Sequence, residues 1–413
     1  MTQIAQPEWV WQQPDWPLFQ WQADALTGRL EHIAELQAQL LNGAAAAGFP
    51  EEAELNALLD NIIQSSAIEG ETLDTGSVRS SLVKRLGVAE AALPASNDRS
   101  EGLVALQWDA TRNYGQSLTF ERLLEWHALL FPQSEFRLAE VGVGMLRGPE
   151  AMQVVSGPVG KRVVHFEAPP REGLENRLQN FLAWLENSAS DDLLQPVLRA
   201  ALAHLWFVTL HPFDDGNGRL ARAITDYALA QAESQSVRLY AMSASIMVRR
   251  KEYYLILEQT QRAGMEVTPW LSWFLDTLIE TLESALGSVS LVLQKARFWQ
   301  RHAQDGLNEH QVKVLNKLLD AGPDGFEGDL SAKKYMGITG VAKATATRHL
   351  TELLAKGALS KLDGGGRQTR YAIEWPPVQD AMQHKVASID EISNSVKKRE
   401  DHVAPAIDYL KDK

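Results

Sequence analysis

The chain has 413 residues, a net charge of −13, 45% hydrophobic and 23% charged residues, and no cysteine. At ~100–200 residues per domain this is roughly two to four domains, with enough apolar material for packed cores. The missing thiols exclude disulfides, thiolate metal sites and a cysteine nucleophile, while the acidic balance confines any attraction to polyanions to a local basic module.

No basic segment followed by an apolar stretch opens the chain, and the longest apolar run lies within Ala201–Leu210. That run is far short of the ~20 residues needed to cross a bilayer. A cytoplasmic protein without membrane association is the expectation. Pro7 to Trp21 holds Trp9, Trp11, Trp16 and Trp21 among three prolines. Proline fixes its own φ and removes a donor, so this arm is read as extended, its aromatics clamping it to a neighbouring surface.

From Ala23 the spacing becomes helical, with Leu26, Leu30, Ile33, Leu36 and Leu40 on one face before a stop at Asn42–Gly43. A second helix follows Pro50 and runs to Gly70, its start favoured by Glu51 and Glu52. Asp74-Thr75-Gly76-Ser77 opens a third, Val78 to Leu86. Residues 99–285 read as nearly continuous helix, including Leu103–Tyr114, Phe120–Phe131, Leu174–Asn187 and Pro196–Leu210. Met152 to Pro170 interrupts them with two β-rich runs around Gly157-Pro158-Val159-Gly160, a hairpin whose free edge suits an extended partner.

After a connecting helix through Phe298 and Trp299, helices are expected at Glu309–Leu319, Ser331–Met336 and Lys343–Lys356. A second hairpin, Ala358–Asp363 and Arg367–Trp375, surrounds Gly364-Gly365-Gly366. Three helices and a hairpin are the plan of a winged helix-turn-helix. Residues 331–371 hold eight basic side chains (Lys333, Lys334, Lys343, Arg348, Lys356, Lys361, Arg367, Arg370) against Glu352 and Asp363. Lys343, Thr345, Thr347, Arg348 and His349 offer donors for a major groove, and Arg367 and Arg370 for phosphates. Winged helices serve protein partners as well as duplex DNA, so both occupants stay open. The whole divides as residues 1–48 (arm and helix), 49–98 (second and third helices), 99–285 (core), 286–306 (connector), 307–376 (winged helix) and 377–413 (polar helical tail). The fold class is mainly α.

The densest chemistry is His211-Pro-Phe-Asp-Asp-Gly-Asn-Gly-Arg-Leu-Ala-Arg222, between an incoming apolar helix and an outgoing one, Leu220 to Ala232. Gly216, Asn217 and Gly218 can turn successive N–H groups toward one point at a helix N-terminus, where an anion is favoured. Arg219 and Arg222, three apart, share a face and can both reach phosphate oxygens. Asp215 can hold a magnesium ion, which takes one carboxylate beside phosphates and waters. Neutral His211 can accept a hydroxyl proton. Together these groups describe phosphoryl or nucleotidyl transfer. A metallohydrolase using His204, His211 and Asp214 competes, but a seven-residue His separation does not pair ligands on one helical face.

His211–Arg222 matches HxFx(D/E)GNGRxxR at every specified position, and from about Pro7 to Asp276 the chain resembles the Fic family. The resemblance implies a Fic-fold helical core with a hairpin flap, and transfer of AMP from ATP to a protein Ser, Thr or Tyr hydroxyl. It implies His211 as general base and Asp215 as magnesium ligand. Gly216, Asn217, Gly218 and Arg219 would bind the α- and β-phosphates and Arg222 the γ-phosphate, with Phe213 anchoring a loop that also includes Asp214. Ser65-Ser-Ala-Ile-Glu69-Gly70 resembles the (S/T)xxxE(G/N) inhibitory motif, implying that Glu69 pairs with Arg222 and blocks γ-phosphate placement. In some braked relatives the same glutamate serves removal of AMP, and the direction stays open. The resemblance places the adenine under Met242–Tyr254, where Arg249, Tyr253 and Tyr254 stand in a pattern that usually begins with Asn. The protein substrate would dock on the 152–167 flap, with self-modification and a homodimer as further expectations. The rival overall reading is a nucleotide-sensing DNA-binding regulator.

Overall fold

The computed structural model describes residues 8–46, 51–88, 93–132, 141–156, 163–235, 239–322, 326, 328–362 and 369–376. The turn of the first hairpin, Arg367 with the second glycine turn, and the tail from 377 lie outside the described residues. Contacts divide the chain into two units, with a boundary at Ala285/Leu286. Among the described residues no helix is long and apolar enough to cross a membrane.

The first unit is helical: α1 (Asp24–Ala46), α2 (Glu51–Ile68), α3 (Thr75–Leu86), α4 (Asp98–Arg112) and α5 (Phe120–Leu129) precede a hairpin. After it come α6 (Leu174–Asn187), α7 (Pro196–Leu210), α8 (Asn217–Glu233), α9 (Met242–Val248), α10 (Arg250–Gln261) and the start of α11 (Thr268–Arg301). Every residue of α7 from Val197 to Leu210 is buried. A helix apolar on all faces belongs at the centre of a core, and the site motif leaves directly from its C-terminus. Asp74 caps α3 by accepting from the Ser77 N–H at 3.0 Å, so that helix begins three residues before the expected Val78.

The hairpin pairs β1 (Gln153–Ser156) with β2 (Val163–Glu167) antiparallel, Gln153 opposite Glu167 and Ser156 opposite Val163. All four residues of β1 are exposed, whereas Phe166 of β2 is buried. The tryptophan arm explains the asymmetry. Trp9 meets Phe166 edge-to-face at 5.4 Å, and the Trp11 indole N–H donates to the Glu167 carbonyl at 2.7 Å. The Arg262 guanidinium lies 4.4 Å over the Trp9 ring and also donates to the Val164 carbonyl. Further along the arm, Trp16 packs edge-on against Trp206 of α7.

The second unit contains α12 (Glu309–Asp320), α13 (Ala332–Thr339) and α14 (Lys343–Ala355), then β3 (Leu359–Lys361) paired antiparallel with β4 (Tyr371–Ile373). Leu330 adds a bridge to Tyr371. Val314, Leu315, Leu318, Tyr335, Leu350 and Leu353 form its core. His349, expected among the groove-facing donors, points inward instead. It is buried, with the Tyr335 hydroxyl 2.9 Å from Nδ1, because it lies three residues after Ala346 and four before Leu353 on the core side of α14. Lys343 and Arg348 remain exposed on that helix. Arg370 donates to the Gly328 carbonyl and Lys356 to the Asp305 carbonyl.

Candidate active site

The loop 211–216 joins α7 to α8. His211 caps α7 with φ 46 and ψ 57, the left-handed turn that ends the helix and swings the imidazole out of its axis. Nδ1 lies 3.2 Å from the Val208 carbonyl. That carbonyl can only accept, so the proton sits on Nδ1 and Nε2 keeps its lone pair. Burial pushes the imidazole below its ordinary range, with the Arg147 charge adding to the effect against the Val208 hydrogen bond. A neutral imidazole with a free Nε2 is what a general base requires.

Asn217 closes the loop. Its Oδ1 accepts from the Phe213 N–H at 3.0 Å and its Nδ2 donates to the Phe213 carbonyl at 2.8 Å. The Asn217 side chain is thus occupied in shaping the loop, which leaves its backbone N–H for any anion. Gly216, at φ 84, precedes the first residue of α8, so that helix starts at Asn217 and not at Leu220. The first-turn N–H groups of Asn217, Gly218 and Arg219 therefore lack intrahelical acceptors and form an anion cradle.

Two residues not singled out in the sequence hold this loop. His127 of α5 stacks on Phe213 with centroids 4.1 Å apart and planes 7° off parallel. Its Nδ1 accepts from the Gly144 N–H at 3.0 Å, so Nε2 carries the proton toward the Asp215 carbonyl at 3.2 Å. Burial drives its pKa down to about 4, leaving it neutral. Arg147, 2% exposed, donates from Nε to the His211 carbonyl at 2.9 Å, while the Arg147 N–H donates to the Pro212 carbonyl at 3.0 Å. Asp214 and Asp215 are exposed; Asp214 accepts from the Gly142 N–H at 3.3 Å, and the Asp215 carboxylate lies 3.5 Å from Arg219.

Opposite the cradle stands the end of α2. The Gly70 N–H donates to the Ala67 carbonyl and the Glu71 N–H to the Ser66 carbonyl, with Gly70 at φ 83. This is a Schellman reversal, and it puts Glu69 just beyond the last helical turn, not within it. Glu69 accepts from Arg222 Nη2 at 2.8 Å, and Ser65 accepts from Arg222 Nε at 2.9 Å and through its own carbonyl from Nη2 at 2.7 Å. Burial alone would raise the Glu69 carboxyl. The Arg222 charge and hydrogen bond, helped by Arg219 and the Tyr254 hydroxyl, hold it below the usual carboxylate range. A Cβ on Gly218 would overlap Glu69 Oε1 and stand 3.0 Å from its Cδ, so the carboxylate rests directly on the cradle backbone.

Glu71 was also missed. Both of its oxygens accept from Arg219 Nη1, at 3.0 and 2.9 Å, and Arg99 of α4 reaches it at 2.7 Å. A single acidic residue after Gly70 gives no sequence sign of its partners, which lie on α4 and α8.

The expected adenine residues separate. The Tyr254 hydroxyl is 3.2 Å from the Ile68 carbonyl and 3.4 Å from Glu69, at the edge of the site. Tyr253 is only 1% exposed, and its hydroxyl donates to His204 Nε2 at 2.8 Å while His204 Nδ1 donates to Thr225 at 2.9 Å. Tyr253 thus packs in the core beside His204, away from the exposed edge that Tyr254 reaches. The same network uses both His204 nitrogens, which removes the metallohydrolase reading. Arg249 is turned toward Glu252, Glu280 and Thr277 and is not gathered into the site.

Residues 117–229, which contain α5 through most of α8 and hence the whole loop, match the model of the Fic/DOC family. Residues 9–88, carrying the arm, α1, α2 and α3, match a domain of unknown function, DUF4172. Curated relatives include a protein adenylyltransferase Fic from Drosophila grimshawi, 28% identical over 67% of this chain and 52% of the relative. Another from Aedes aegypti is 28% identical over 58% of this chain and 44% of its own length. The chain spans about half the length of these relatives. A Fic family protein from Desulfovibrio desulfuricans G20 shares the fold with TM-score 0.50 and 19% identity, covering 84% of this chain and 95% of that one.

Proposed function

We propose that this chain is an autoinhibited protein adenylyltransferase, transferring AMP from ATP to a Ser, Thr or Tyr hydroxyl of a protein and releasing pyrophosphate. The single observation that carries this reading is the Glu69 carboxylate resting on the Gly218 backbone and bonded to Arg222. A carboxylate seated in a cradle of first-turn N–H groups and guanidinium is an internal stand-in for a phosphate. Arg222 is 3% exposed, and its Nε and Nη2 are taken by Ser65 and Glu69, so the carboxylate occupies the guanidinium that a phosphate would need.

His211 Nε2 would take the hydroxyl proton as the target oxygen attacks the α-phosphorus, and the bond to the β-phosphate oxygen would break to release pyrophosphate. The N–H groups of Gly218 and Arg219, with the Arg219 guanidinium, would hold the non-bridging oxygens. Asp215 is the residue that would hold magnesium. Its carboxylate is 54% exposed beside the cradle, and one carboxylate with substrate phosphates suits this ion. Among the described residues no group of three or more acidic or histidine ligands is assembled, so the donor set fits an ion that arrives with its nucleotide. Bound there, magnesium would offset phosphate charge. The exposed β1 edge of the hairpin would receive the target segment as an added strand.

The test is transfer of label from α-labelled ATP by the wild type, Glu69→Gly and His211→Ala. The proposal expects Glu69→Gly to exceed wild type and His211→Ala to be silent. A second reading concerns the second unit, where Lys343 and Arg348 on α14, with Lys333 and Lys361, are exposed basic side chains that could contact the phosphates of duplex DNA.

A further inference from the structure

The reversal at Gly70 delivers two carboxylates to two motif arginines, and their positions differ. Glu69 lies over the cradle backbone, in the space a bound anion needs. Glu71 meets Arg219 only through Nη1, at 3.0 and 2.9 Å, and shares its other side with Arg99 at 2.7 Å. Arg219 is 2% exposed in its side chain, lies 5.1 Å over the Phe131 ring, and turns Nη2 toward Asp215 at 3.5 Å. Its guanidinium is therefore gripped at one edge, backed by an aromatic face, and presented by the other edge to the loop.

We propose that Glu71 is a positioning residue for Arg219, acting in the opposite sense to Glu69: the first carboxylate after α2 blocks the anion cradle, and the second, anchored by Arg99, builds it. Long arginine side chains lose rotamer freedom when they bind, and a buried, pre-aligned guanidinium has already lost it. Glu71 has two cationic partners, so Glu71, Arg99 and Arg219 together carry one net positive charge, which favours an anion arriving at Arg219 Nη2. Glu71 need not leave for phosphate to bind, whereas Glu69 must.

This assignment rests on the nucleotidyltransferase reading, and the test separates the two. In the non-turning-over background Glu69→Gly/His211→Ala, ATP and adenosine affinities are measured by calorimetry with Glu71 intact, Glu71→Gln and Glu71→Ala. Glu71→Ala should weaken ATP binding at least tenfold, with Glu71→Gln intermediate, because the amide oxygen still accepts from Nη1. Adenosine affinity should stay within twofold in all three, which a collapsed site would not allow. Tighter or unchanged ATP binding in Glu71→Ala overturns the assignment and makes Glu71 a second brake or a bystander. An equal loss for adenosine and ATP overturns it in favour of a merely structural role. No ATP binding with Glu71 intact overturns the nucleotidyltransferase reading and this assignment with it.

Discussion

Replacing His127 with Phe tests how the loop 211–216 is held, because the ring can still stack on Phe213 while both hydrogen bonds vanish. The Asp215 carbonyl and the Gly144 N–H would then lack their partner. Two such losses cost about 2–4 kcal/mol at pH 7.5. The wild-type imidazole titrates at about 4 in the folded chain, against 6.5 for an ordinary histidine. The unfolded imidazole binds its proton first as pH falls, so the His127 contribution to wild-type stability falls from pH 6.5 down to about 4 and no further. At pH 4.5 that loss is about 2.5 kcal/mol, and His127→Phe does not suffer it. The stability gap between the two proteins should therefore shrink on acidification to about −0.5 to 1.5 kcal/mol. Other groups, His204 included, contribute equally to both proteins and cancel. Native-state hydrogen exchange of α7 and α8 amides at the two pH values reads the gap directly. A gap that is the same at pH 4.5 and 7.5 refutes the neutral, doubly bonded His127.

Asn217→Ala should lower the melting temperature of the first unit by roughly 5–15 °C, since two buried backbone groups of Phe213 lose their partner; scanning calorimetry measures it, and an unchanged transition contradicts the loop-closing role. Lys343→Glu/Arg348→Glu should weaken duplex DNA binding and reduce the steepness of its salt dependence by about two ion equivalents. Binding to duplex that ignores both substitutions and salt removes DNA as the occupant of that face.

The parts of the fold legible in the sequence were those with a local signature. The bounds of α6 and α7 follow from apolar periodicity, with Pro196 at the start of α7. The loop's chemistry was legible because its parts are consecutive from His211 to Arg222. What the sequence did not reveal is tertiary. Glu71 meets Arg99 and Arg219 across three elements, and His127 reaches the loop from α5. Helix phase decided two other cases. Tyr253 and Tyr254 are neighbours about 100° apart, and Tyr253 falls on the core side while Tyr254 reaches the site edge; His349 turns inward because it is in phase with Ala346 and Leu353. Arg249, expected among the adenine contacts, is long enough to reach Glu280 of α11 instead.

The account's central claim is that an internal carboxylate holds the arginine that a nucleotide phosphate needs. Its most direct measurement is protein labelling from α-labelled and γ-labelled ATP with magnesium, comparing wild type, Glu69→Gly and Glu69→Gly/His211→Ala. Loss of one charge-assisted hydrogen bond is about 1.5–3 kcal/mol, so Glu69→Gly should incorporate α-label roughly 10–150 times faster than wild type. The γ-label should stay with the pyrophosphate, and the double variant should incorporate neither. Equal α-labelling of wild type and Glu69→Gly, or labelling that survives without His211, would contradict the claim.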